Sequence, residues 1–247
     1  MDELYHGRVD LSMAIPIYLA MTAAEFAGCS QLPHHLAWMA CHFSPYAIGL
    51  SNFPSKLPEN SMLIINDIMP VHMHHPETIT EQILDYITQH SCSAVLLDFQ
   101  RPPDANGIAI AKSLCSALPC PTGVSEQLAI HLDCPVFLSP CPIDCTLQNY
   151  LKPWTGREVW MEISTDKRCI QITESGTSMS NDCDIHINHP VHFDASLCCH
   201  YQINVEKNRI SFCVWRNQED IRIHLEEAEH LGITKAIGLY QQLHNIL

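Results

Sequence analysis

The sequence predicts an α/β chain folded as a (β/α)8 TIM-barrel-like domain, with some helices missing and a small β-rich insertion before the last helix and strand. Three observations predict it. Short apolar runs that break off into polar residues recur along the chain, as buried parallel strands do. Amphipathic stretches separate several of them, the pattern of a strand, a crossover helix and a parallel strand. The chain has 247 residues of which 47% are hydrophobic, enough to bury the core of one barrel domain spanning 1–247.

Taken in order, Met13 to Met21 reads as a buried strand with Pro16 near its start, where a missing ladder donor costs little. Thr22 to Gly28 is a short helix stopped by glycine. His35 to Phe43 is the second strand, Tyr46 to Ser51 extends the pattern after a proline turn, and Asn52 to Asn60, holding Pro54 and Pro58, is a loop. Ser61 to Asp67 is a third apolar strand ending in polar groups. In the helix from Pro76 to Ser91, Ile79, Ile83, Leu84 and Ile87 share a face. It delivers the chain to the central strand at 93–99, after which Asn106 to Leu118 is helical again, burying Ile108, Ala111, Leu114, Cys115 and Leu118.

Short strands follow at Thr122–Ser125 and Pro135–Ser139, with a short helix near Gln127–Leu132 between them. Tyr150 to Gly156 is a turn and Glu158 to Ser164 another strand. The segment 168–216 departs from this rhythm: Cys169 to Thr173 is strand-like, Ser175 to Pro190 polar and irregular, and His200 to Trp215 a hairpin turning at Glu206–Arg209. Barrel pattern resumes where Asn217 caps a helix with Asp220 three residues on. Ile221, Leu225, Ala228 and Leu231 form its stripe, Gly232 ends it, and Ile233 to Tyr240 is the final strand.

With 27 acids against 13 bases and a net charge of −14, the chain lacks the clustered cations that displace counterions from nucleic acid or bind an acidic membrane. Thirteen cysteines, odd in number and without a C-x-x-C pair, read as buried free thiols in a reducing, cytoplasmic setting. The N-terminal apolar run, interrupted by Pro16 and Glu25, is neither a secretory signal nor a span of about 20 residues. Nine glycines form no phosphate loop. The histidine groups 72–75 and 186–192 lack an established zinc spacing, so neither cofactor nor metal is expected. Trp38, Trp154, Trp160 and Trp215 read as core, with a sugar platform as the alternative.

The candidate site lies on the central strand, Ser93-Ala-Val-Leu-Leu-Asp-Phe-Gln-Arg-Pro-Pro103. Alternation puts Leu96, Asp98 and Gln100 on one face and Leu97 and Phe99 on the other. Polar residues leaving the C-terminal end of a parallel strand are where barrels bind ligands. The bland alternative is a satisfied polar pair closing the mouth, with Arg101 as counter-ion. Asp67, Glu126 and Glu162 also stand near strand ends, and a second carboxylate roughly 5–9 Å from the first would serve glycoside hydrolysis. Each of these acids has a plain reading too, as a turn cap or a solvated loop acid.

Two stretches carry a resemblance to glycoside hydrolase family 18, the chitinase-like and spore peptidoglycan hydrolase-like barrels. Ile79 to Gln100 is similar to the family's helix and strand ending in D-x-x-D-x-D-x-E, and His200 to Tyr240 to its closing hairpin, helix and last strand. The signature positions fall on Ser93, Leu96, Asp98 and Gln100, so only Asp98 is retained. The last acid of the signature protonates the glycosidic oxygen, and a glutamine amide has no such proton. The family's tyrosine and aspartate on strand six have no counterpart in Pro135–Pro140, and its terminal tryptophan corresponds to Tyr240. The resemblance implies a degenerate barrel that binds an N-acetyl-sugar glycan with impaired or absent hydrolysis. Asp98 and Gln100 would hydrogen-bond the ligand, Tyr240 would stack on it, and Arg101 or Glu162 would orient it. The alternatives are an active hydrolase using another pair among Asp98, Glu126 and Glu162, and a scaffold that meets a protein partner through 168–216.

Overall fold

The computed structural model describes residues 15–165, 167–181, 185 and 189–244. In chain order the elements are β1 (Ile17–Met21), α1 (Ala23–Gly28), β2 (Leu36–Phe43), β3 (Leu50–Ser51), β4 (Met62–Asn66), α2 (Pro76–His90), β5 (Ala94–Asp98), α3 (Ala105–Ala117), β6 (Thr122–Ser125), α4 (Glu126–Ala129), β7 (Val136–Leu138) and α5 (Leu147–Leu151). They continue as β8 (Val159–Ile163), β9 (Lys167–Thr173), β10 (Gly176–Ser180), β11 (His192–Asp194), β12 (Cys199–Glu206), β13 (Arg209–Trp215), α6 (Gln218–His230), β14 (Ile233–Leu239) and α7 (Tyr240–Leu243).

Eight parallel strands close into a ring in the order β1, β2, β4, β5, β6, β7, β8, β14, with β14 returning to pair with β1. β3 adds one short antiparallel rung to β2. Helices are long only after β4, after β5 and before β14, whereas α1, α4 and α5 are reduced to one or two turns. The insertion is a five-stranded antiparallel sheet in the order β10, β9, β13, β12, β11.

Alternation along the strands sorts the apolar residues into two layers. Tyr18, Ala20, Ala37, Met62, Ile64, Ala94, Leu96, Phe137, Trp160 and Ile237 fill the barrel interior. Leu36, Leu63, Ile65, Val95, Leu97, Val124, Leu138 and Met161 face outward onto Ile79, Ile83, Ile110, Leu114, Ile221 and Leu225 of the helices. Trp160 is wholly buried, and a Cβ at Gly123 would lie 2.4 Å from its ring carbons. Glycine on β6 is therefore what lets the indole cross the interior.

Local chemistry explains the boundaries. Thr22 and Glu25 form a capping box at α1, and Asn217 and Asp220 form another at α6. Gly232, at φ +84°, takes the left-handed conformation just past α6. Four expectations need correction. Tyr86 rather than Leu84 is buried on α2, because Tyr86 packs onto Phe53 and donates its hydroxyl to Pro54 O at 2.9 Å. Leu231 is exposed, since it lies beyond the last turn of α6. Of the stretch Tyr150–Gly156 read as a turn, the part up to Trp154 is helical, continuing a helix that begins at Leu147 under the cap of the Thr146 side chain. Gly176–Ser180, read as irregular, is a strand held by β9.

Candidate functional site at the barrel mouth

Strand register places three polar side chains in one row at the C-terminal end of the barrel: His42 of β2 opposite Asn66 of β4, and Asn66 opposite Asp98 of β5. Asp98 shares the inward face with Leu96, as alternation requires. His42 reaches this row through a β-bulge between Trp38 and Cys41, which turns Cys41 and Phe43 outward and the imidazole inward. Its Nδ1–H donates to Phe43 O at 2.8 Å and its Nε2 accepts from Asn52 Nδ2 at 3.0 Å. Asn66 donates from Nδ2 to Met39 O at 3.2 Å.

Beyond the strand, the exposed Gln100 turns its amide back and donates from Nε2 to Asp98 Oδ1. Gln127 fixes the Gln100 main chain, donating to its carbonyl at 3.2 Å. Burial raises the pKa of Asp98 above its ordinary value; the hydrogen bond from Gln100 works against this and the nearby Asp67 charge adds to it. Ser125 and Ser164, on the inward faces of β6 and just past β8, are buried with hydroxyls that have no protein hydrogen-bond partner.

The other sequence-predicted residues are distributed unevenly around this row. Asp67 is only 4% exposed, and its two carboxylate oxygens accept from Gln100 N at 2.9 Å and Arg101 N at 3.0 Å. It shapes the chain leaving β5, with its oxygens turned to the backbone. Arg101 donates to Ile68 O at 2.7 Å and so braces the same turn. Glu162 lies two residues after Trp160 on β8 and shares its inward face, which makes it the candidate carboxylate turned to the same interior as Asp98. Glu126 opens α4 and accepts from the Tyr150 hydroxyl at 3.4 Å. Tyr240 packs with the outer layer, stacked on His244 at 4.6 Å with its hydroxyl 3.5 Å from Cys29 Sγ. The structure thus brings Asp98, Gln100 and Glu162 to the mouth and leaves Tyr240 outside the ring.

Two cavities stand out. The larger, about 530 Å³, lies between Trp154–Val159 and Leu231–Ile233, at the N-terminal ends of β8 and β14 and away from the mouth. The second, about 350 Å³, opens between the loop after β7 (Ile143, Asp144) and the insertion, where Arg168, Tyr201 and Phe212 line it. The rings of Tyr201 and Phe212 stand 5.5 Å apart. Both segments leave the C-terminal ends of neighbouring barrel strands, so the second cavity belongs to the mouth side. Of the histidine groups, His74 is buried and accepts from Gly49 N through Nδ1 at 3.1 Å, a structural role. His186 lies outside the described residues. No helix among the described residues is long and apolar enough to cross a membrane.

Fold and mouth together define a (β/α)8 barrel whose fourth ring strand carries inward-facing polar residues at its C-terminal end. No protein-family model matches the chain, and no curated protein matches it in sequence. Solved structures do match in fold. An N-acetylglucosaminidase of glycoside hydrolase family 18 from Paenibacillus barengoltzii superposes with a TM-score of 0.64 at 8% identity, covering 94% of this chain and 98% of that one. A doubly substituted family 18 chitinase from Cycas revoluta, in complex with (GlcNAc)4, gives 0.58 at 10% identity over 91% and 94%. A chitinase-like agglutinin from Robinia pseudoacacia gives 0.56 at 11% identity over 90% and 93%. The barrel is built as the family 18 barrels are, and β5, the fourth strand of the ring, is where the sequence resemblance fell.

Proposed function

We propose that the chain binds an N-acetyl-sugar-containing glycan at the mouth of its barrel, with hydrolysis impaired or absent. One observation carries the reading: Gln100, at the position where the resemblance puts the general acid, is an amide whose hydrogen is given to Asp98. That pair can orient an acetamido group or a hydroxyl by hydrogen bonding and supplies no proton to a leaving oxygen. The free hydroxyls of Ser125 and Ser164 and the aromatic wall of Tyr201 and Phe212 suit a sugar, which needs polar partners around its edge and apolar faces for its ring. The fold likeness to a chitinase-like agglutinin supports a barrel put to binding. The free cysteines among the described residues of this chain fit a reducing, cytoplasmic setting.

The test is a thermal-shift and product-release assay with N-acetylglucosamine oligomers and peptidoglycan fragments. Wild type is expected to gain melting temperature with sugar and release no product. Gln100→Glu, whose carboxylate would sit against Asp98 and be held partly protonated by repulsion, is expected to gain turnover. Rapid turnover by wild type would instead support a hydrolase using Glu162 with Asp98, and no shift with any sugar would remove the glycan reading.

A second reading, an interaction barrel, rests on the insertion. Ile172, Ile210 and Val205 stand side by side across β9, β13 and β12, with Met179 and Ile203 in the next row, and all five are exposed. Monomers rarely leave such a contiguous patch in water, and two copies of the chain facing each other would cover it. Sedimentation decides: a dimer dispersed by Val205→Glu supports this reading, and a monomeric wild type removes it.

A further inference from the structure

Among the described residues, one set of side chains has the composition and spacing of a transition-metal site, and it lies where the insertion meets the barrel rather than in the mouth. The sulfur of Cys198, a ring nitrogen of His224 and a carboxylate oxygen of Glu227 all lie within 4.8 Å of one another. His224 and Glu227 are three residues apart on α6 and so project from the same face. Cys198 approaches from the turn between β11 and β12, where its backbone is held at φ +48°, a conformation uncommon outside glycine and asparagine.

We infer that Cys198, His224 and Glu227 form a zinc site that fastens the insertion to α6. Four observations converge on it. The donor set is one thiol, one imidazole and one carboxylate, which suits zinc, while a thiolate disfavours magnesium and calcium. Cys198 is 2% and His224 4% exposed, and the Nδ1 of His224 has no hydrogen-bond partner, which is costly for a buried polar atom with no further role. A tetrahedral zinc with bonds of about 2.0–2.3 Å spaces its donors about 3.5 Å apart, so side-chain rotation of about 1 Å closes the set.

Arg216, also buried, supplies the support. It donates to Cys198 O at 3.3 Å, to Leu197 O at 3.2 Å and to Cys141 O at 3.1 Å, which ties the turn carrying the thiol to the loop after β7. Its guanidinium is directed at carbonyls and leaves the sulfur and the carboxylate to the ion.

Without the ion, the Cys198 thiol donates to Glu227 Oε2 at 3.4 Å. Zinc takes a cysteine as the thiolate and a histidine as the neutral imidazole. Binding therefore exchanges a proton for the ion: the thiol, the carboxylate, the neutral imidazole and M²⁺ give the complex and one H⁺ released to solvent. A water completes a fourth position. The thiolate and carboxylate charges together cancel that of the ion.

The experiment uses the full chain, stripped with a chelator and titrated with Zn²⁺, and separately with Co²⁺, whose thiolate charge-transfer band reports a sulfur ligand. The expected result is one equivalent of zinc per chain, a rise in melting temperature on binding, and a cobalt–thiolate band. Cys198→Ser is expected to abolish the band and weaken zinc at least a hundredfold. Glu227→Gln keeps every thiol and leaves the buried core untouched, and is expected to weaken zinc at least tenfold. Zinc bound equally by wild type and both variants would mean adventitious capture by other thiols and would overturn the assignment. No binding by wild type would overturn it as well.

Discussion

Two polar clusters, one around Glu158 at the N-terminal end of the barrel and one around Asp98 at the mouth, are built in opposite ways. At the N-terminal end the polar groups around Glu158 satisfy one another. Glu158 Oε1 accepts from Trp160 Nε1 at 2.9 Å and Thr234 Oγ1 at 2.8 Å with Lys235 Nζ 3.7 Å away, Lys235 in turn lies 4.6 Å over the Trp160 ring, and Tyr18 meets Ser93 at 2.9 Å. At the C-terminal mouth, Ser125 and Ser164 are buried with no protein partner for their hydroxyls, and Asp98 is held by one amide and kept from its ordinary pKa. A fold gains nothing from unsatisfied polar groups, so the cluster around Glu158 is read as stability and the mouth as a place for a ligand.

Substitutions test that contrast. The largest effect is expected from Asp67→Ala, which strips two backbone N–H groups of a charged acceptor at the foot of the mouth. About 3 kcal/mol of stability should be lost in denaturant melts, and sugar binding with it, because the Gln100 turn loses its anchor. Next is Gly123→Ala, whose methyl would collide with Trp160. About 2 kcal/mol is expected there, with the mouth unaffected once the chain is folded. Asn217→Ala removes the α6 cap and should cost about 1 kcal/mol.

The subtlest test compares the two ends by pH. Burial outweighs the hydrogen bond from Gln100, and with the smaller contribution of the Asp67 charge it gives Asp98 a raised pKa. The folded chain then holds that proton more tightly than the unfolded one, and stability is lost as pH rises through the folded pKa. Asp98→Asn should therefore raise the melting temperature at pH 7, the gain fading as the pH falls below about 4. Glu158 is the reverse case. Burial opposes its charge, but hydrogen bonds from Trp160 and Thr234 and the Lys235 ammonium prevail and hold its pKa down. Its contribution is present above the unfolded value and lost as pH falls through the folded one, so Glu158→Gln should lower the melting temperature at pH 7 and matter little in acid.

Much of this architecture was legible in the sequence because hydrophobic period reports burial directly. The Ser93–Phe99 run placed β5 and the shared face of Leu96 and Asp98, while Gln100 lies past the strand and folds back onto Asp98, and the spacing of Asn217 and Asp220 placed the start of α6. The hairpin turning at Glu206–Arg209 is present as read. What period cannot convey is a local slip of parity. The bulge in β2 sends His42 inward where simple alternation would send Cys41, and nothing in His35–Phe43 announces it. At the other end of the ring, Ile237 and Leu239 face in, so Tyr240 faces out, a difference of one residue that the strand's composition leaves open. Ser125 and Ser164 are too ordinary to notice until the ring closes around them. Cys198 and His224, 26 residues apart in sequence, meet only because the insertion folds back on α6.

The proposed binding of an N-acetyl sugar at Asp98 without cleavage can be tested directly. The most direct measurement is a calorimetric titration of wild type and Asp98→Ala with an N-acetylglucosamine tetramer, followed by chromatography of the sugar recovered from the cell. Saturable binding to wild type, its loss in Asp98→Ala and recovery of intact tetramer are the expected result. Equal binding by both proteins, or cleaved sugar recovered from wild type, would contradict it.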